Sequence, residues 1–302
     1  MTTALDVRLL AAGASLRALA ALPRSLLLLA GSRLGDLAYL AWGTMRRRVL
    51  ANLRLAFGTE KSAAELAGIA RASYRHFGQA VVEVMASMYA RPVSVDRVVR
   101  VEGLEEARAA FRQGKGVILV GAHIGNWELC ARTFNRLPRP VNAIVRNPRS
   151  EWATRLVARM RQFAGMETIT TSDNPYRAAI GRLEAGEAVG FLIDVNAGKQ
   201  GIFVEFMGRF ASTARGPVSM ALRTGAPIVF ALARRCPDGT HVLTYSPALP
   251  LLRTGDKERD LLANTAALTR VIEREIRSRP EQYYWFHRRW KQRPPWEANE
   301  TR

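Results

Sequence analysis

His123 and Glu128 stand five residues apart in the stretch GVILVGAHIGNWELC, residues 116–130. An imidazole backed by a carboxylate can take a proton from a hydroxyl near neutral pH. Across a tight turn, Glu128 is expected to face His123, fix its tautomer and stabilise the imidazolium, leaving the other ring nitrogen as the base. Gly121 and Gly125 permit such a turn, and Asn126 is a good helix N-cap. Glu128 then falls in the first helical turn, where the helix dipole favours a carboxylate. The competing reading is a hydrogen-bonded interior histidine with Glu128 as an ordinary helix-start carboxylate. Cys130, one helical turn further on, reads as packing rather than as a nucleophile.

Other polar residues carry two readings each. Asp194 either orients a substrate or ends a strand in a turn. Lys199, Arg209 and Arg215 either hold phosphates or are solvated surface charge. Ser212 and Thr213 read as a helix N-cap, and Glu205 as a solvent-facing strand residue. The histidines at 76, 123, 241 and 287 have no zinc-ligand spacing, and Cys130 and Cys236 form no CxxC pair. No metal site and no disulfide framework are expected.

The elements that must position these residues follow from periodicity. VILVGA is a continuous apolar run of the kind found in a strand covered on both faces. Further strands are predicted at 141–146, 166–171, 189–194, 227–233 and 241–246. Helices are predicted at 103–113, 126–137, 150–163, 174–185, 214–224 and 258–279. Ser62 and Glu65 form a capping-box pattern that opens another helix, and residues 45–60 are basic and amphipathic. This alternation predicts an α/β fold, a single mixed sheet covered by helices on both faces.

Residues 1–44 are expected to be a membrane-associating helical segment, and 45–302 the catalytic domain. The apolar run over 5–42 is interrupted by Arg17, Arg24, Arg33 and Asp36 and kinked at Pro23. It never reaches the roughly 18–20 apolar residues of a spanning helix. An interfacial helix is the reading, with a buried helical hairpin as its rival. The chain has 45 basic and 26 acidic residues among 302, a net charge of +19. That excess favours polyanions: nucleic acid, an anionic bilayer, phosphorylated lipids or an acidic carrier protein. The segment YYWFHRRWKQRP, residues 283–294, mixes aromatic and basic side chains. It suits a bilayer interface or the stacking of single-stranded nucleic acid, with His287 structural.

NLRLAFG, HIGNWE, the long run from GFLIDVNAGKQ to RTGAPIVF, and PEQYYWFHRRWKQRP occur in that order. Over about residues 45–296 this ordered set resembles the bacterial lipid A late acyltransferase family, which includes phosphatidylinositol mannoside acyltransferases. The resemblance implies a glycerolipid acyltransferase-like fold and acyl transfer. A His-x4-Asp/Glu pair activates an acceptor hydroxyl, which attacks an acyl thioester on acyl carrier protein or coenzyme A. His123 and Glu128 carry that pair. Asn126, Asp194, Arg209 and either Arg159 or Arg161 are the expected substrate contacts, with amides of the Gly125–Asn126 turn and a guanidinium facing the oxyanion. No cofactor is implied beyond the acyl co-substrate.

The implied partners are an anionic membrane surface, acyl carrier protein and a lipid A-type or other glycolipid or phospholipid acceptor. The implied place is the cytoplasmic face of the bacterial inner membrane. The chain departs from the family at Val195, where lipid A enzymes often follow the aspartate with Gln or His, and at EFMG in place of PFFG. Val195 cannot supply a polar contact, which points to an acceptor other than the standard hexa-acylation precursor. A nucleic-acid-binding protein leaves HIGNWE and the apolar N-terminus unexplained. A non-catalytic membrane scaffold is opposed by the intact His123 and Glu128.

Overall fold

A computed structural model describes residues 21–88, 93–145, 165–170 and 174–299. The strands are β1 (Val99–Glu102), β2 (Val117–Gly121), β3 (Val141–Val145), β4 (Met166–Thr170), β5 (Ala188–Leu192), β6 (Ile202–Phe206), β7 (Arg209–Thr213), β8 (Ile228–Arg235) and β9 (His241–Tyr245). The helices of a full turn or more that matter here are α1 (Arg24–Ala41), α2 (Gly43–Phe57), α3 (Ala63–Ser87), α4 (Leu104–Phe111), α5 (Trp127–Ala131), α6 (Pro175–Glu184), α7 (Gly216–Thr224) and α8 (Lys257–Ser278). The helix expected at 150–163 lies outside the described residues.

Seven strands form one sheet in the order β1-β9-β8-β2-β5-β3-β4. All its neighbours are parallel except the β8/β9 pair. The expected single sheet is corrected by a second, two-stranded one, the β6/β7 hairpin. Neither β1 nor β7 was expected from periodicity, whereas the strand expected around Glu205 is β6. Ser212 and Thr213 are therefore strand residues and not a cap. Helix α7 begins after Arg215 with no side-chain cap, and a proline in its first turn removes one amide that would need one.

β2 is buried along its whole length because both faces of the sheet are covered. One face presents Ile118, Val120, Val189, Ile228 and Phe230 to α2, α6, α7 and α8. The other presents Leu119, Val229 and Leu243 to α4 and α5. The alternation of odd and even positions is the strand period itself.

Helix α1 lies on α3 at very close range. A Cβ on Gly35 would sit 2.3 Å from the carbonyl oxygen of Tyr74, and one on Gly78 2.2 Å from that of Gly31. Only glycine permits this crossing. Asp36 joins it by accepting from Arg71 at 2.7 Å and Arg75 at 2.8 Å. Those guanidiniums hold its carboxyl down to about 2. The expected boundary at 44/45 falls in the first turn of α2. The opposite face of α1 is apolar and exposed: Leu26, Leu29, Leu37 and Leu40 are 50–65% accessible, and Trp42 follows at 57%. Among the described residues no helix is long and apolar enough to cross a membrane.

The aromatic C-terminal segment is not a surface. Tyr283, Trp285, Phe286, Arg289 and Trp290 are all buried. Their rings meet Phe57, Tyr74, Phe77 and Phe206 edge-on or tilted. The expectation of a stacking or headgroup platform there is corrected, because apolar packing of the rings outweighs the cations beside them. Arg289 is accommodated by the carbonyl of Val195, 3.1 Å away, and the hydroxyl of Thr213, 2.6 Å away.

Candidate active site

The turn after β2 is held from three sides. Gly125 has φ of +63°, and a Cβ there would lie 2.5 Å from the carbonyl oxygen of Ala233. Its amide donates to the carbonyl of Gln282 at 3.1 Å. Its carbonyl accepts from Nε2 of His76 at 3.1 Å. Burial pushes His76 down to about 4, so the ring is neutral and Nε2 carries its proton. The expected oxyanion role of the Gly125 amide is thereby corrected, since that donor is already satisfied inside the protein.

Asn126 caps α5 as expected, its Oδ1 accepting from the Leu129 amide at 3.2 Å. Its Nδ2 donates to Oε2 of Glu83 at 3.0 Å. The residue is buried, and both ends of its amide serve the fold. Glu83 also accepts from Arg24 at 2.6 Å, Arg235 at 2.5 Å and His241 at 3.0 Å. Burial opposes its ionisation, but His241 and Arg235 outweigh that and keep its carboxyl well below the usual range.

His123 does not take Glu128 as its partner. Nδ1 lies 2.9 Å from Oδ1 of Asp194, and the His123 amide donates to Oδ2 at 3.1 Å. Asp194 is fully buried at its side chain, whereas the imidazole keeps 22% of its surface open. The reason is register. In the parallel β2/β5 pair Gly121 stands opposite Leu192, so two residues further on His123 meets Asp194. Burial alone would lower the His123 pKa, but the charge and hydrogen bond of Asp194 raise it above the ordinary value. Burial likewise works against Asp194, and His123 outweighs it, bringing the carboxyl to about 2. The expected role of Glu128, fixing the tautomer, therefore belongs geometrically to Asp194, and Nε2 remains to accept a proton.

Glu128 contributes to His123 through its charge alone, and its Oε1 accepts from Nε1 of Trp127 at 3.3 Å. The Trp127 ring stands edge-on to His123, 5.0 Å between centroids. Behind them, Tyr284 donates its amide to the His123 carbonyl at 3.0 Å, and the Tyr283 hydroxyl lies 3.3 Å from the Asp194 carbonyl. His287 meets that hydroxyl with Nε2 at 3.3 Å and donates Nδ1–H to the Tyr284 carbonyl at 2.8 Å.

His123 opens on a cavity of about 440 Å³ between the sheet and α5. Its floor is the face of the sheet that carries Leu119, where Gly121, Ala143, Gly190, Ala231 and Ala233 leave room that larger residues would fill. Phe134, Met166 and Leu243 continue the apolar lining, and Val195 adds to it beside the histidine. His123, Trp127 and Glu128 are its polar-bearing members. The shape and chemistry suit a hydrocarbon chain whose reacting end meets an imidazole.

Arg209 is exposed on the hairpin, its Nε donating to the Leu55 carbonyl at 3.3 Å, and it does not line this cavity. Glu205 is exposed and Cys130 fully buried, as expected. Arg159 and Arg161 lie outside the described residues. Sequence reasoning passed over Glu83, His76 and Gln282. A signal existed for the first two: His76, Ala80, Glu83 and Ser87 share one helical face, and all four are buried.

A family model described as bacterial lipid A biosynthesis acyltransferase matches residues 7–292. The lipid A biosynthesis palmitoleoyltransferase of Escherichia coli K12 is 30% identical over 285 residues, 92% of this chain and 89% of that protein. The lauroyltransferase of the same strain is 31% identical over 272 residues, 87% and 85% of the two chains. A phosphatidylinositol mannoside acyltransferase of Mycolicibacterium smegmatis is 22% identical over 185 residues, 60% and 59% of the two.

Proposed function

The chain belongs to the bacterial lipid A biosynthesis acyltransferase family and is an acyltransferase, and on that premise we propose that it moves a fatty acyl chain from an acyl thioester to a hydroxyl of a lipid A-type acceptor, with His123 as general base. The observation that carries this reading is the His123–Asp194 pair, set at a 440 Å³ apolar cavity with only Nε2 left for a proton. Nε2 takes the hydroxyl proton as the oxygen attacks the thioester carbonyl and a C–O bond forms. Collapse of the tetrahedral intermediate breaks the C–S bond. The thiolate leaves and takes the proton back from Nε2 as a free thiol. Asp194 holds the Nδ1–H tautomer and stabilises the transient imidazolium, and Glu128 adds negative charge from the cavity wall.

The net charge of +19 supports an acidic carrier protein over coenzyme A as the donor. The exposed leucines of α1 with Trp42, beside that basic excess, support docking on an anionic membrane at the cytoplasmic face of the bacterial inner membrane. Transfer of a labelled acyl group from acyl carrier protein to a lipid A precursor in detergent tests the reading. His123→Ala is expected to lose on the order of 10²–10⁴ in rate. Full activity in that variant sinks the mechanism.

A further inference from the structure

A second cavity, of about 210 Å³, lies on the far side of Trp127 and Glu128 from the first. Asn126 and α3, through Phe77, Ala80, Val81, Val84 and Met85, complete its wall, with almost no polar surface. Trp127 and Glu128 line both cavities, so these two residues form the wall between them. Helix positions 77, 81 and 85 adjoin 78 and 82, the positions on which α1 packs. The groove therefore runs beside the helix whose outer face carries the exposed leucines.

We propose that this groove seats the hydrocarbon chain of the acceptor lipid next to the hydroxyl that His123 deprotonates. The assignment rests on the acyl-transfer reading and adds a site to it. Two hydrocarbon-bearing substrates must bring their reacting atoms to one imidazole, and two apolar cavities converge on one wall beside it. Their sizes differ in the sense the physics requires. A chain delivered by a soluble carrier has to be sheltered from water over its length, which needs the deeper cavity. An acceptor chain stays partly in the bilayer, so only the segment near its hydroxyl needs a place on the protein. A groove of half the volume, beside an apolar helix face, meets that need.

Val81 is 38% exposed and lines the groove from α3, so Val81→Trp fills it from the wall that carries none of His123, Asp194 and Glu128. The assay is label transfer from acyl carrier protein to a lipid A precursor in mixed micelles, varying each substrate in turn. The variant is expected to raise the acceptor KM on the order of tenfold or more, with the donor KM unchanged. In the unaltered protein, acceptors with progressively shortened chains are expected to lose affinity, and that series needs no variant to fold. An unchanged acceptor KM in Val81→Trp, a rise in the donor KM instead, or indifference of the unaltered protein to acceptor chain length overturns the assignment. Absence of any transfer by the unaltered protein fails the acyl-transfer reading itself, and the groove assignment falls with it.

Discussion

Replacing Asp194 by asparagine separates the two things this carboxylate does. One oxygen accepts the His123 amide at 3.1 Å and the other faces Nδ1 at 2.9 Å. In Asp194→Asn the side-chain oxygen must stay on the amide, because an NH2 group cannot accept from it. The NH2 then points at Nδ1 and donates to it. That forces the proton to Nε2, the nitrogen that has to be empty to act as base. Tautomer inversion of this kind costs about 10⁴ in rate in the serine-protease triad, and a loss on the order of 10³–10⁴ is expected here.

The pH profile adds an independent sign. Burial depresses the imidazole and Asp194 overcomes it, so the acid limb of kcat/KM is expected above pH 6.5. Without the charge, burial prevails and the limb of the residual activity moves to lower pH. Stability follows as well. A carboxyl brought from 3.8 to about 2 contributes about 2 kcal/mol, present above pH 4 and lost as the pH falls towards 2. The variant should lack that increment at neutral pH and lose less on acidification, as measured by urea unfolding. Activity within tenfold of the unaltered protein, with an unmoved acid limb, would refute the argument.

Glu83→Gln leaves Arg235 buried without its counter-charge and is expected to destabilise by about 3–5 kcal/mol in chemical unfolding. Glu83 and Asp194 are depressed and His76 is lowered to about 4, so all three stabilise the neutral-pH fold and lose that contribution on acidification. The raised His123 runs the other way, its contribution being lost as pH climbs through its folded value. Between pH 7 and pH 4.5 the urea midpoint is therefore expected to fall through His76, offset in part by His123, and to fall further only below about pH 4, where Asp194 and Glu83 protonate. Gly190→Leu places a side chain in the first cavity, where a Cβ meets only ordinary contacts at 3.7 Å or more, and is expected to shift the preferred donor to shorter acyl chains. An unchanged donor profile in a chain-length series contradicts the cavity's assignment. Arg159→Ala and Arg161→Ala, made separately, are expected to split: loss of a guanidinium that stabilises the oxyanion should cost on the order of 10²–10³ in kcat in one variant, and the other should lose little.

The stretch 116–130 was readable from its own residues because what shapes it is local. An uninterrupted apolar run makes a covered strand, Gly125 admits a left-handed turn, and Asn126 caps the helix that carries Glu128. The same holds for the other five predicted strands, whose periodicity needs no distant information. Alternation around Glu205 marked β6, but β7, beyond the Met207–Gly208 turn where both φ angles are positive, escaped because Ser212 and Thr213 also read as a helix cap. Likewise, five aromatics beside arginines read equally as surface or core. Only the packing of Phe57, Phe77 and Phe206 against them settles which.

Sequence by itself determined that His123 ends a strand, begins a turn and is followed by a carboxylate at the start of a helix. It also held the family resemblance. The partner of the imidazole was a tertiary decision, because Asp194 is 71 residues away and arrives only through the register of parallel β2 and β5. Helix geometry carries Glu128 to the wall between two cavities rather than onto the ring, and those cavities exist only where small residues from four strands and one face of α3 come together. Spacing along a chain sets which groups a turn can offer. Which of them meet is set by strands and helices that the chain joins from afar.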